Sequence, residues 1–301
     1  MATNQKYLLC ALSFLVSSQA MGMRQVTSRT GVQVGRALGA GAVSTVGRQF
    51  ETSMPDLMSG DQAQQQLFLI EGNIGAGKST FLQMLSNYFP QAVCIPEPCD
   101  KWQNIQGHNL LDAFYKDTKR WAYSMLSYVM MTVVQQFQNF VRPTSNIYFM
   151  ERSLFSGKYC FFKNLAAAGM LNDLEQAMYI NSWDWFNKQM PKPRGVIYLH
   201  TTPEVCHNRM KARARAEEGV VSLEYLQTLH DRHENWLVSK QWSDDEEIPV
   251  LTLNACLDFK NDIEVQKQFV KLINDFMQNE GRIKSPGAIR TNSVMSVNRN
   301  A

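Results

Sequence analysis

The run Gly72-Asn73-Ile74-Gly75-Ala76-Gly77-Lys78-Ser79 matches G-x-x-x-x-G-K-[ST] in full, and it constrains the chain on both sides of itself. Such a loop binds phosphate only where a strand delivers it and a helix leaves it. Both are present, with the apolar run Leu67–Ile70 before the loop and the helical pattern Thr80–Tyr88 after it. The glycines let successive N–H groups converge on phosphate oxygens, and the helix starting near Lys78 turns its positive end toward the same anion. Lys78 places a point charge between β- and γ-phosphates, and the Ser79 hydroxyl suits Mg²⁺. The expected phosphate-binding set is Gly72, Asn73, Ile74, Gly75, Ala76, Gly77, Lys78, Ser79 and Thr80.

Further β-rich runs at Ala92–Ile95, Asn146–Met150, Val196–His200 and Val250–Leu253 alternate with helical patterns, of which Asp112–Phe140 and Leu174–Met190 are clearest. That alternation predicts an α/β fold of three layers, a five-stranded parallel sheet with helices on both faces. The chain divides into a leader at 1–60, one domain at 61–280 and a tail at 281–301. No Asn-Lys-x-Asp guanine-reading motif is present. The strand Ile147–Met150 runs into Glu151-Arg152-Ser153 rather than the acidic pair usual in large ATPases. Both observations favour a small-molecule kinase.

Charge narrows the partners. The whole chain carries +3, and residues 1–50 hold Lys6, Arg24, Arg29, Arg36 and Arg48 with no acid, so the remainder is 3 − 5 = −2. A nearly neutral body argues against a nucleic-acid polymer as partner. No apolar run reaches the ~20 residues that span a bilayer, which argues against a membrane role. The Arg- and Ser-rich, acid-poor leader, whose first acid is Glu51, reads as a mitochondrial transit peptide. Lys6 followed by Tyr7–Val16 offers a secretory reading, and an untargeted tail would leave the protein cytosolic or nuclear. The six cysteines form no Cys-x-x-Cys pair and read as free, buried thiols of a reducing compartment.

On the residues alone, Glu97, just past the second strand, has two equal readings: a general base or a carboxylate capping a neighbouring helix. Arg152 suits a carboxylate or a transferring phosphoryl group. Arg209, Arg213 and Arg215 fall at i, i+4 and i+6, ordinarily a solvated face. Trp102, Phe161 and Tyr128 have the flat rings that stack a nucleobase, although singly each is more often core.

Taken together, Glu97-Pro98-Cys-Asp-Lys-Trp102, Gly107-His-Asn109, Tyr115-Lys-Asp117, Trp121, Glu151-Arg-Ser-Leu-Phe-Ser156, Tyr159 and Arg213-Ala-Arg-Ala-Glu-Glu218 resemble the deoxynucleoside kinases. The branch containing mitochondrial thymidine kinase and the insect multisubstrate enzyme is the most similar, over about residues 66–240. The resemblance implies a P-loop kinase fold with a helical lid, ATP and Mg²⁺ as cofactors, a small deoxynucleoside as acceptor, and a homodimer. It implies that Glu97 is the base for the 5′-hydroxyl with Arg152 beside it, and that Glu151 joins Ser79 at Mg²⁺. Arg209, Arg213 and Arg215 become the lid on the ATP phosphates, and Glu218 with Tyr115 takes the sugar 3′-hydroxyl. Trp102 and Phe161 face the base, and Val129, Val133 and Gly157 shape its pocket.

Two residues depart from the pattern. Leu126 stands where the family has a glutamine whose amide reads the base edge, and leucine can neither donate nor accept. Lys158 replaces an arginine, keeping charge but losing the planar fork. Neither touches the phosphate machinery, so phosphoryl transfer to a deoxynucleoside is expected with altered base preference. A kinase-like scaffold and a P-loop kinase for another metabolite are the alternatives. His230 and His233 lack a third ligand and argue against metal, and Asp244–Glu247 reads as a solvated acidic loop.

Overall fold

A computed structural model describes residues 65–142, 145–241 and 248–279. The elements are β1 (Gln66–Glu71), α1 (Lys78–Tyr88), β2 (Val93–Ile95), α2 (Cys99–Gln103), α3 (Leu110–Lys116), α4 (Thr118–Phe140), β3 (Ile147–Glu151), α5 (Leu154–Ser156), a π-helical turn (Gly157–Phe162), α6 (Lys163–Ala167) and α7 (Asp173–Asn187). There follow β4 (Gly195–His200), α8 (Pro203–Arg213), a 3₁₀ turn (Ala216–Val220), α9 (Leu223–His233), a second π turn (Glu234–Val238), β5 (Val250–Asn254) and α10 (Ile263–Asn279).

The five strands pair in the order β2-β3-β1-β4-β5, and every pairing is parallel. β1 lies between β3 and β4, with Ile70 beside Glu151 and Glu71 beside Tyr198. Its side chains alternate between the two faces. Leu67 and Leu69 join one apolar cluster with Phe137, Met150 and Trp236, while Phe68 and Ile70 join another with Phe81, Phe149 and Phe269. A strand covered on both faces must be apolar throughout, as Leu67–Ile70 is. The chain leaves β1 toward β2 and leaves β3 toward β4, so the connections part between β1 and β3. Open α/β sheets bind ligands at that point, beyond the carboxyl ends of the strands.

The expected helix over Asp112–Phe140 is two helices. Asp117 ends α3 and caps α4, its side chain accepting from Arg120 N at 3.1 Å. An aspartate that satisfies a free N–H starts a helix better than it continues one. The cysteines depart in part from expectation: Cys160 and Cys206 are buried, but Cys94, Cys99 and Cys256 are half-buried. No described helix is long and apolar enough to cross a membrane. The leader, the tail, Cys10 and Asp244–Glu247 lie outside the described residues.

Candidate active site

The loop after β1 closes on itself through Lys78, whose Nζ donates to the carbonyls of Asn73 at 2.7 Å and Gly72 at 3.1 Å. Gly75 (φ 79°) and Gly77 (φ 96°) occupy the left-handed region. A β-carbon on Gly75 would collide with the Cys206 carbonyl, and one on Gly77 would sit 2.8 Å from the Phe259 ring. The loop therefore presents bare backbone to an anion. Gly72, Asn73 and Ala76 are not on the cavity wall but behind it. Asn73 is buried, donating to Leu226 O at 2.8 Å and accepting from Ile74 N. The Ser79 hydroxyl donates to Glu151 Oε1 at 2.8 Å, joining the two residues expected to hold Mg²⁺. A hydroxyl and a carboxylate beside a phosphate loop are the oxygen donors that this hard cation takes.

Arg152 stands at the centre of the cleft. Its backbone has φ 63°, a costly conformation for a non-glycine residue that clusters at functional sites. Arg152 N donates to Ile70 O at 3.0 Å, fixing the turn out of β3. The side chain is buried, with Nε 2.8 Å from Glu97 Oε1 and the guanidinium 4.9 Å from the Phe161 ring centroid. Burial alone would lower its pKa, but Glu97, Glu71 and Glu151 outweigh that and raise it. Burial, aided by Arg152, lowers Lys78 to about 8 against the opposing pull of Glu97 and Glu151.

Beyond these groups a cleft of about 830 Å³ runs inward. Of the expected substrate set, Glu97, Trp102, Tyr115, Leu126, Val129, Val133, Arg152, Gly157, Phe161 and Glu218 all line it. Tyr128 does not; it packs against the core cluster instead. Trp102 is held by its indole N–H, which donates to Thr132 Oγ1 at 2.8 Å. Gly157 and Phe161 come from the π-helical turn, a feature frequent at functional sites. Lys158 is buried, its Nζ 3.7 Å from the Trp183 ring centroid.

The three expected lid arginines also line the cleft, but they are not equivalent. Arg213 and Arg215 converge on the carboxylate of buried Glu218 at 2.5 and 2.9 Å. Arg209 donates to the carbonyls of Ala255 at 2.8 Å and Ala76 at 3.3 Å, tying β5 to the phosphate loop. The 3₁₀ turn is tied to the segment between α2 and α3 by Glu217, which accepts from Asn109 Nδ2 at 2.7 Å and Gln103 Nε2 at 3.0 Å.

Several participants escaped the sequence reading. Glu71 is fully buried, accepts from Ser153 Oγ at 2.5 Å, and is raised to about 7 by burial against the pull of that bond and of Arg152 and Lys78. Its signal was visible: an acid ending an otherwise apolar strand, next to the phosphate loop. Cys99 Sγ lies 3.5 Å from Glu97 Oε2. Away from the cleft, His233 is buried with Nδ1 2.6 Å from Leu229 O, and burial depresses it to about 3. His230 instead groups with His200 and Glu234, one ligand atom from each lying within 4.8 Å of the others. That is three of the four ligands of a closed zinc site, and Glu234 already accepts from Tyr198 OH at 2.6 Å.

Comparison with known proteins agrees with this geometry. A family model described as "Deoxynucleoside kinase" matches residues 68–278. The chain is 36% identical over 252 residues to a protein of Gallus gallus named deoxycytidine kinase 2, covering 74% of this chain and 94% of that one. It is 37% identical over 235 residues to mitochondrial deoxyguanosine kinase of Xenopus laevis (68% and 87%). It is 34% identical over 228 residues to human mitochondrial thymidine kinase 2 (75% and 80%).

Proposed function

The chain belongs to the deoxynucleoside kinase family, and on that premise we propose how its residues divide the transfer of the ATP γ-phosphoryl group to the 5′-hydroxyl of a deoxynucleoside. The supporting observation is the arrangement around Arg152, which joins Glu97 on one side to the mouth of the phosphate loop on the other, its Nη1 lying 3.4 Å from Gly72 O.

Glu97 accepts the proton of the 5′-hydroxyl as its oxygen bonds to phosphorus and the bond from phosphorus to the β-γ bridging oxygen breaks. Arg152 holds the Glu97 carboxylate in place and meets charge developing on the transferring group. Lys78 and the loop N–H groups hold the β- and γ-phosphates. Ser79 and Glu151 would hold Mg²⁺, which would supply positive charge to offset that of the phosphates. Arg213 and Arg215, which the structure holds on Glu218, release it to reach the phosphates from the lid, freeing the Glu218 carboxylate to take the sugar 3′-hydroxyl with Tyr115. Arg209 keeps the lid helix registered on the loop. At the base end Trp102 and Phe161 flank the ring, and Leu126 alters base preference because it offers the base no hydrogen bond.

The same reading extends to assembly and address. Leu174, Met178 and Trp185 are exposed along α7, at i, i+4 and i+11 on one face, and this stripe suits a homodimer. The acid-poor, arginine-bearing leader suits mitochondrial import. The test is phosphate transfer from ATP–Mg²⁺ by the full chain, offered each natural deoxynucleoside in turn. Turnover on at least one is expected; ATP binding without turnover on any would turn the assignment toward a scaffold.

A further inference from the structure

The base end of the cleft holds a hydroxyl that the phosphoryl-transfer chemistry leaves unused. Tyr179, on α7, lines the cavity yet is only 2% exposed. Its ring lies flat against Phe162, centroids 4.5 Å apart at 11°, so the phenol has one position. The oxygen points at Gly157, and a β-carbon there would lie 3.1 Å from it. Because residue 157 has no side chain, the hydroxyl has a way into the cavity that Leu126 and Leu165 also line.

No described residue hydrogen-bonds this hydroxyl. The nearby Ser153 and Ser156 hydroxyls are committed, to Glu71 and to the Ser153 carbonyl respectively. The oxygen is not one of the fully enclosed unpaired polar atoms of the described residues, so it reaches the cavity that Tyr179 lines and can pair with a ligand there. Burial raises the pKa of the phenol, which keeps it protonated at neutral pH, and a neutral phenol can both donate and accept.

We propose that the Tyr179 hydroxyl, opened to the cleft by Gly157, reads the polar edge of the nucleobase in a pocket where Leu126 cannot. The inference rests on the cleft being the deoxynucleoside site. A single hydroxyl that turns to donate or accept satisfies a carbonyl, a ring nitrogen or an amino group. Tyr179 is thus a specificity residue of permissive kind, ranking purines and pyrimidines less sharply than a two-pronged amide.

The test compares wild type with Tyr179→Phe on natural deoxynucleosides and on a deoxynucleoside carrying an apolar isostere of its base. The variant should raise KM for natural acceptors by about 2- to 10-fold, the worth of one neutral hydrogen bond. The kcat, the KM for ATP and the KM for the isostere should stay unchanged. Gly157→Ser, whose added hydroxyl would capture the phenol, should act in the same direction with the tyrosine ring intact. Equal KM values in wild type and Tyr179→Phe, or an equal loss on the isostere, would overturn the proposal while leaving the kinase reading standing. Absence of turnover by the wild type on any deoxynucleoside would overturn both.

Discussion

Arg152 and Glu97 form an ion pair of 2.8 Å in which the arginine is buried and the glutamate is largely so. The arginine engages Oε1 alone, and the second oxygen, Oε2, faces Cys99 Sγ at 3.5 Å. Removing one member of a buried pair leaves the other uncompensated and costs about 3–5 kcal/mol, so a test of the base must preserve the hydrogen bond.

Glu97→Gln does so, since the amide oxygen can still accept from Arg152. Turnover should fall by about 10²- to 10⁴-fold, the usual worth of a positioned base, while nucleotide binding followed by fluorescence persists. Unchanged kcat would remove Glu97 from that role.

Lys78, lowered to about 8, sheds its charge as pH rises through that value in the free enzyme. Phosphates placed against it favour the charged form and return the pKa upward. ATP binding near pH 8 should therefore take up protons, and affinity should weaken above it. Calorimetry in buffers of different ionisation enthalpy reads the uptake directly, and Lys78→Met should abolish it.

Glu71 gives a pH signature of stability. Its folded value of about 7 exceeds the ordinary 4.5, so the folded chain holds that proton more firmly than the unfolded one. The contribution is complete below pH 4.5 and is lost as pH rises to about 7, amounting to ~1–3 kcal/mol. Urea unfolding across that range should show wild type losing stability relative to Glu71→Gln; parallel curves would contradict the assignment.

Leu126→Gln restores an amide to a buried position. With the cleft empty that amide lacks a partner, at a cost of ~1–3 kcal/mol, so the melting temperature should fall. A pyrimidine deoxynucleoside should raise the melting temperature of the variant more than it raises that of wild type. Base preference measured by kcat/KM should narrow, and an unchanged ranking across the four bases would clear Leu126 as its determinant.

Glu217 holds the lid turn through Asn109 and Gln103. Glu217→Ala should speed amide exchange across residues 216–221 and raise KM for the deoxynucleoside, with little change in global stability. Unaltered exchange there would mean that the turn is held by Glu218 and its two arginines alone.

The sheet was legible because parallel strands buried on both faces must be apolar runs, and five such runs were in view. The phosphate loop was legible because its chemistry fixes residue types at fixed spacing. The break at Asp117 was harder, since the apolar periodicity continues across it and only the capping role of one aspartate reveals the stop. Arg209 and Arg213 look alike in sequence, yet one binds backbone carbonyls and the other Glu218, a distinction set by which loop lies opposite. Tyr179 was invisible for a similar reason: nothing along the chain indicates that its hydroxyl meets Gly157 on another helix. Glu71 could have been found, because burying a carboxylate at the end of a core strand is costly enough to demand a reason.

The π-helical turn at Gly157–Phe162 makes the pocket sensitive to chain length as well as to side-chain identity. A π turn holds one residue more than the α turn it interrupts, and each helical residue advances the chain by about 100°. Deleting a single residue there would wind the segment into a regular α-helix and swing Phe161 out of line with Gly157. A lost codon in this stretch would therefore redraw the acceptor site more drastically than any single exchange of side chains.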